Sequence, residues 1–409
     1  MHAVPERGRF PPTAVVLAVF WLSLFLSTSS AQRDPAIVKG PYLQCPTPAS
    51  MTVMWETSVP CTGKVVFYDE SGQERTAAET SVCALHEVVL TGLAPGTAYR
   101  YRVVSSDGTS SVSSPSYRFR TVPVEMENWR FIVRADVVSG RDAVAHESMV
   151  NLLSRTLRTD PPPACVIATG DLVDDGAVYE HWAEQFFAPE GKLYASTPLW
   201  PCLGNHENDG IWYFRFFSLP GNERWYSFDY LNSHFIALDS FSDLTPEGAQ
   251  YRWLEQDLRT TRADWVFVFF HAPPYSSGGH NYLDSAGVPA EKAVHHAQVY
   301  LDPLFQKYGV TAVFSGHNHC YERSRKGRVF YFVAGSMGGR VRGAVVANPY
   351  VQVFRKSYSF LIVEMGQNTA RVQAQDIRGR IIDSVELSPR QKGRVAGAPS
   401  SEPAGAVTK

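Results

Sequence analysis

The stretch "VFSGHNHCYER", residues 313–323, leaves a short apolar run and at once presents His317 and His319, one residue apart. Residues so spaced in an extended segment point to the same side. Two imidazoles converging just past a buried strand suggest a metal ligand pair. Taken alone, such a pair reads equally well as one core histidine and one solvent-facing histidine, so the rest of the chain has to decide.

Upstream of this stretch, the apolar runs "WRFIVRAD", "ACVIATGD", "STPLWPCLGNH", "WVFVFFH" and "VTAVFSGH" alternate with helical segments such as "AVAHESMVNLLSRTL" and "QYRWLEQDLRT". That alternation predicts a layered α/β sandwich, in which binding crevices lie at the carboxyl ends of strands. Every one of these runs ends in a residue able to bind a metal. In order they offer Asp136, Asp171, Asn205 with His206, His271, and His317 with His319. Two carboxylates, an amide oxygen and three imidazoles suffice for two adjacent divalent or trivalent ions sharing one carboxylate. Iron, zinc and manganese all suit such a donor set.

From about residue 36 to 122 the rhythm is different, with short alternating strands ("MTVMWET", "KVVFYDE", "HEVVLTGL", "AYRYRVVS", "SYRFRTV") separated by turn residues. This predicts an all-β sandwich domain. The segment "LTGLAPGTAYRYRV" resembles the fibronectin type III pattern, which makes Tyr99 a corner tyrosine, while Trp55 reads as a core aromatic. The α/β domain then runs over residues 128–388, and the Pro/Ala/Gly/Ser-rich segment 389–409 reads as a disordered tail.

With 409 residues, 44% hydrophobic and 12% aromatic, the chain can build the cores of both domains. A formal net charge of −2 leaves no basic footprint for nucleic acid and no polybasic membrane patch. Residues 1–31 carry Arg7 and Arg9, then "AVVLAVFWLSLFL", then small residues at Ser29 and Ala31. This is the pattern of an export signal, with an apolar run shorter than the roughly 20 residues that span a bilayer. The mature protein is therefore expected to be secreted or periplasmic, without stable membrane insertion. Its six cysteines lie beyond the signal and form no CxxC; Cys61 and Cys83 flank strands of the first domain and can pair. Oligomeric state is not legible.

Taken together, "GDLVDDG", "GNHE", "FFHAPPY" and "GHNHCYER" resemble the successive motifs of the calcineurin-like metallophosphoesterases, over roughly residues 130–340. The β-sandwich ahead of them and the "CYER" after the last histidine narrow the resemblance to the purple acid phosphatase-like branch. The resemblance implies that Asp171 bridges two metals, that Asn205, His271 and His317 complete one site, and that Asp136 and His319 serve the other. It implies that His206 contacts the phosphate and helps protonate the leaving group, that Glu207 orients it, and that His280 is a second substrate-facing histidine. The implied activity is an acid phosphatase-like hydrolysis of phosphate monoesters by in-line attack of hydroxide generated between two metals. A phosphodiesterase, or a surface-binding protein with a degenerate metal site, is the alternative.

The chain also departs from the family pattern. Where relatives place a histidine two residues after the first Asp, or a tyrosine three residues after the bridging Asp, this chain has Val138 and Asp174. Asp174 is thus expected as the replacement ligand, directly or through water. Without a tyrosinate the protein should not be purple, and a preference for ferric iron weakens. Arg134 is expected to pair with a nearby acid, and "IWYFRFF" at 211–217 to pack near the "GNHE" loop.

Overall fold

The computed structural model describes residues 34–126, 128–137, 142–208 and 210–390. The expected export signal, Val138 and residues 391–409 of the expected tail lie outside the described residues. The first two residues of that tail segment are placed, and the Arg390 N–H donates to the Asp264 carbonyl at 2.9 Å.

The first domain consists of β1 (Ile37–Gln44), β2 (Ser50–Tyr68), β3 (Glu74–Ala78), β4 (Cys83–Thr91), β5 (Ala98–Ser106), β6 (Ser111–Ser113) and β7 (Tyr117–Arg120). Strand β2 belongs to both faces of the sandwich: Ser50–Glu56 pairs with β4, and Thr62–Tyr68 pairs with β5. Between the faces sit Leu43, Val53, Trp55, Val65, Tyr101 and Val103, all fully buried. The Trp55 indole N–H donates to Ser105 Oγ at 2.8 Å, which satisfies its polar edge inside the core. The Tyr99 hydroxyl accepts the Ala94 N–H at 2.9 Å, five residues upstream.

The second domain adds β8 (Trp129–Arg134), β9 (Val166–Ala168), β10 (Leu199–Pro201), β11 (Tyr226–Tyr230), β12 (Ser233–Ala237), β13 (Trp265–Phe269), β14 (Ala312–Ser315), β15 (Tyr321–Lys326), β16 (Val329–Ala334), β17 (Val351–Arg355), β18 (Ser359–Met365), β19 (Ala370–Asp376) and β20 (Ile381–Leu387). They form two sheets, in the orders β10-β9-β8-β18-β19-β20 and β11-β12-β13-β14-β16-β15-β17. Strand periodicity explains why the central strands of the second sheet are buried on two sides. Along β12, β13 and β14, Phe235, Ala237, Phe267, Phe269, Ala312 and Phe314 face the other sheet. The intervening Ile236, Val266, Val268 and Val313 face a second core, built with Leu254 and Leu258 of the helix Ala249–Thr260. Edge-on contacts of Phe131 with Phe235 and Phe267, at 5.1 and 5.5 Å between centroids, lock the sheets together. The expected fold class, an all-β domain ahead of an α/β layered sandwich, is what the chain adopts.

The two domains share buried contacts. The Tyr42 hydroxyl donates to the Phe216 carbonyl and the Tyr101 hydroxyl to the Ala195 carbonyl, both at 2.7 Å. The buried Lys39 ammonium is held by Glu56 and the Tyr179 hydroxyl. Within "IWYFRFF", Tyr213, Phe216 and Phe217 are buried, so this cluster is a packing element at the domain junction.

Candidate metal centre

Strands β8, β9 and β10 run parallel, as do β13 and β14, so their carboxyl ends collect at one edge of each sheet. Asp136, Asp171, Asn205, His271 and His317 each lie within four residues of such an end. The loops there turn sharply. Asp136, Asp171, His317 and His319 have φ of 51, 53, 70 and 45°, and make up half of the eight non-glycine residues with positive φ among those described. Left-handed backbone costs an L-residue roughly 1–2 kcal/mol, so the fold must compensate. It does so with backbone hydrogen bonds between the loops: Val137 N–H to the Asp171 carbonyl at 2.8 Å, and the Gly338 and Gly339 N–H groups to the Asp136 carbonyl at 3.1 Å. Gly204 allows the loops to close, since a Cβ there would sit 2.2 Å from Asp171 Oδ1.

Four donor atoms meet at one point. His271 Nε2 lies 3.1 Å from Asp171 Oδ2, 3.1 Å from Asn205 Oδ1 and 3.1 Å from His317 Nδ1. The far nitrogens fix the tautomers: His271 Nδ1–H donates to the Thr169 carbonyl at 2.8 Å, and His317 Nε2–H donates to the Glu291 carboxylate at 2.9 Å. Each ring therefore turns a lone pair inward, toward two oxygen acceptors. Such a convergence calls for a cation at its centre. A second group, Asp136, Asp171 and His319, shares Asp171 with the first. Asp136 Oδ1 accepts the His317 N–H at 2.8 Å, while its Oδ2 is buried with no hydrogen-bond partner. An orphaned carboxylate oxygen at full burial is costly unless a metal or proton meets it, and the donors present fit two metal ions of the zinc, manganese or iron type.

The protein part alone carries the electrostatic imprint of those charges. Burial, reinforced by the neighbouring Asp171 carboxylate, pushes Asp136 up to about 8. Burial would also raise Asp171, but His271, His206 and His317 outweigh it and hold the carboxyl below the usual range. Burial pushes His317 down to about 4 and His319 to about 3, leaving both imidazoles neutral and able to ligate. Burial disfavours the charged His271 too, yet Asp171 and Asp136 raise it to about 10, so a proton occupies this position when no metal does.

Around these donors the expected residues take distinct parts. The His206 N–H donates to Asp171 Oδ1 at 3.0 Å, its Nδ1–H donates to the Asp174 carbonyl at 2.7 Å, and its Nε2 edge faces Asp171 Oδ2 at 3.9 Å. Glu207 does not touch that ring. Its buried carboxylate accepts three backbone N–H groups, from Gly204 at 2.6 Å, Leu172 at 2.7 Å and Asp171 at 2.9 Å, and so ties the "GNHE" loop to the "GDL" loop. The expectation that Glu207 orients His206 is corrected accordingly: the backbone of Asp174 performs that task. The Asp174 carboxylate belongs to neither donor group among the described residues. What Asp174 supplies is its carbonyl to His206 and its N–H to Gln185 Oε1 at 2.8 Å.

The His280 ring lies tilted against His317, with centroids 3.8 Å apart, and 3.3 Å from Glu291 and 3.5 Å from Arg342 Nη1. Glu291 and Arg342 carried no signal in the sequence, since both sit in loops outside any motif. Asn318, between His317 and His319, gave no signal of its own in the sequence; its Oδ1 accepts the His280 N–H at 2.9 Å. Arg134 pairs with an acid as expected, meeting Glu190 at 2.9 Å in full burial. Beside Asn205 opens a cleft of about 270 Å³ lined by Asn208, Arg224, Asp239 and Phe241. Its exposed aromatic is Phe241, outside the 211–217 cluster.

Residues 130–321 match the family model of the calcineurin-like phosphoesterases, and residues 39–121 that of the purple acid phosphatase N-terminal domain. Purple acid phosphatase 13 of Arabidopsis thaliana is 27% identical over 64% of this chain, a match spanning 54% of that protein. Acid phosphatase type 7 of Mus musculus is 29% identical over 68% of each chain. The purple acid phosphatase PPD1 of yellow lupin shares the fold, with a TM-score of 0.77 at 17% identity over 92% of this chain and 78% of that one. Residues 130–321 are thus a calcineurin-like phosphoesterase domain, preceded over residues 39–121 by a purple acid phosphatase N-terminal domain.

Proposed function

We propose that the chain is an exported phosphatase that hydrolyses phosphate monoesters at a two-metal centre. The observation that carries this reading is the pair of donor groups sharing Asp171, one of them retaining the orphaned Asp136 Oδ2. Asp171, Asn205, His271 and His317 would hold one ion, and Asp136, Asp171 and His319 the other. Ions bound there supply positive charge to the phosphoryl oxygens and acidify water.

The remaining work belongs to the chain's own side chains. His206, its Nδ1–H committed to the Asp174 carbonyl, turns Nε2 to the departing alcohol, to which the doubly protonated ring can pass its Nε2 proton. On the far side of His317, Arg342 donates to His280 Nε2 and has further N–H groups to meet the phosphoryl oxygens. The leaving group would enter the cleft between Asn208, Arg224 and Phe241, whose size suits a small alcohol bearing polar groups. Export is supported by the leading sequence pattern, and no helix among the described residues is long and apolar enough to cross a membrane.

The test is metal content per chain, measured by elemental mass spectrometry on purified protein, with turnover of the mono- and diesters of one alcohol. Two ions with faster monoester cleavage support the reading. Two ions with faster diester cleavage make the enzyme a phosphodiesterase. One ion or none, with no turnover, would leave a binding protein with a degenerate site.

A further inference from the structure

Away from the phosphoesterase centre, the β-sandwich gathers a carboxylate, a thiol and an imidazole: Glu79, Cys83 and His86 place one donor atom each within 4.8 Å of one another. We propose that these three residues form a separate zinc site that pins the β3–β4 turn to the sandwich.

His86 is prepared as a ligand. Its ring is fully buried and stacked on Trp55, with centroids 4.7 Å apart and an interplanar angle of 17°. Its Nε2 lies 3.0 Å from Thr57 Oγ1, while the Thr57 hydroxyl itself donates to the Val59 carbonyl at 2.8 Å. That hydroxyl can then only accept, which places an N–H on Nε2 and leaves Nδ1, the nitrogen turned to Glu79, as the atom a metal would take. An imidazole fixed by an outer hydrogen bond, with the opposite nitrogen turned to other candidate ligands, is the arrangement metal-binding histidines adopt.

Nδ1 faces the other two donors. Cys83 Sγ lies 3.6 Å from His86 Nδ1 and 3.4 Å from Glu79 Oε2, and Glu79 Oε1 is in contact with Nδ1. Zinc bonds of 2.0–2.3 Å in tetrahedral geometry set ligand atoms roughly 3.3–3.8 Å apart. The sulfur is already at that spacing. The Glu79 oxygen must withdraw from Nδ1 as the ion enters, which its place in the β3–β4 turn allows. Gly63 keeps the cradle open, since a Cβ there would sit 2.3 Å from Glu79 Oε1 and 2.6 Å from His86 Nδ1.

The donor chemistry selects the ion. A thiolate with an imidazole and a carboxylate favours zinc over magnesium, calcium or manganese. On binding, the Cys83 S–H proton and the proton that His86 Nδ1 shares with Glu79 pass to solvent as Zn–S and Zn–N bonds form; thiolate and carboxylate then balance the two charges of the ion, and water completes the coordination. Cys61 stands directly opposite Cys83 across β2 and β4, and both are free thiols. A Cys61–Cys83 disulfide is therefore the rival fate of this sulfur.

The experiment compares full-length wild type with Cys83→Ser and Glu79→Gln. Wild type should carry one more zinc per chain than Cys83→Ser, with equal phosphoesterase turnover. After cobalt replacement, wild type should show a near-ultraviolet thiolate-to-cobalt charge-transfer band, absent in Cys83→Ser and weakened in Glu79→Gln. The phosphoesterase centre, with nitrogen and oxygen donors, contributes no such band, so the signal stands apart from that activity. Equal zinc in wild type and Cys83→Ser, or no cobalt band, overturns the site. So does a thiol count on denatured, unreduced protein that finds Cys61 and Cys83 joined.

Discussion

Both carboxylate oxygens of Glu291 face Nε2 of His317, at 2.9 and 3.0 Å. Burial would raise Glu291, but His280 and His317 outweigh it and hold the carboxyl at about 2, so it is ionised. The ion fixes the His317 proton on Nε2 and turns Nδ1 toward His271 and Asp171. Glu291→Ala should therefore weaken metal retention by roughly 10- to 100-fold, the usual effect of losing such an outer partner. Glu291→Gln, which still accepts the hydrogen bond, should recover part of it. Chelator competition followed by metal analysis checks both, and unchanged affinity in Glu291→Ala would remove the residue from this role.

Asp174 separates backbone from side chain. Because His206 is held by the Asp174 carbonyl, Asp174→Ala should keep full metal content and lose no more than about tenfold in turnover, near 1.4 kcal/mol. Asp171→Asn, which alters the carboxylate shared by both donor groups, should lose metal and activity together. Loss of one ion in Asp174→Ala would make its carboxylate a ligand after all.

Glu207→Gln tests a buried acceptor. Three N–H groups point at the carboxylate, and a glutamine must aim an NH₂ at one or more of them. With about 1–3 kcal/mol for each unsatisfied buried donor, the variant should melt at lower temperature and lose activity as the "GDL" and "GNHE" loops part. A melting temperature equal to wild type would contradict this account.

His234 sets a stability term with a defined pH window. Burial alone would lower its pKa; hydrogen bonds to Asp229 at 2.7 Å and Asp257 at 2.8 Å outweigh burial and raise it to about 9. A folded pKa above the unfolded one stabilises fully below the unfolded value of about 6.5 and is lost as pH rises through about 9. Asp229 is largely exposed, so screening reduces the contribution to roughly 1–3 kcal/mol. Urea midpoints of wild type and His234→Gln should converge as pH climbs through that window. A gap that stays constant would assign the effect to other groups.

The sequence made the strand ends legible because buried parallel strands are continuous apolar runs, so a polar residue just after each one stands out. Asp136, Asp171, Asn205, His271, His317 and His319 were all visible this way, and the structure brings them together. Glu291 was not visible: it lies 26 residues before His317 in an ordinary loop, and only the closed fold carries it to that ring. The Glu207 role was misread because proximity in sequence to His206 suggested side-chain contact, whereas the turn points the carboxylate at three amides. The pairing of β18 with β8 was equally hidden, since strand partnership across more than 220 residues leaves no local trace.

The positive φ angles at Asp136, Asp171, His317 and His319 bear on how such an enzyme could be lost. Glycine would sit more comfortably than the present residue at each of these positions. A metal-free chain under selection for folding alone would therefore drift toward glycine exactly where the donors stand. Thermal stability and catalytic competence pull against each other at these points of one loop cluster, most plainly at Asp136, whose buried Oδ2 has no partner, so an Asp136→Gly chain should outlast its parent in a heat challenge run in chelator, and fail it in every assay of phosphate release.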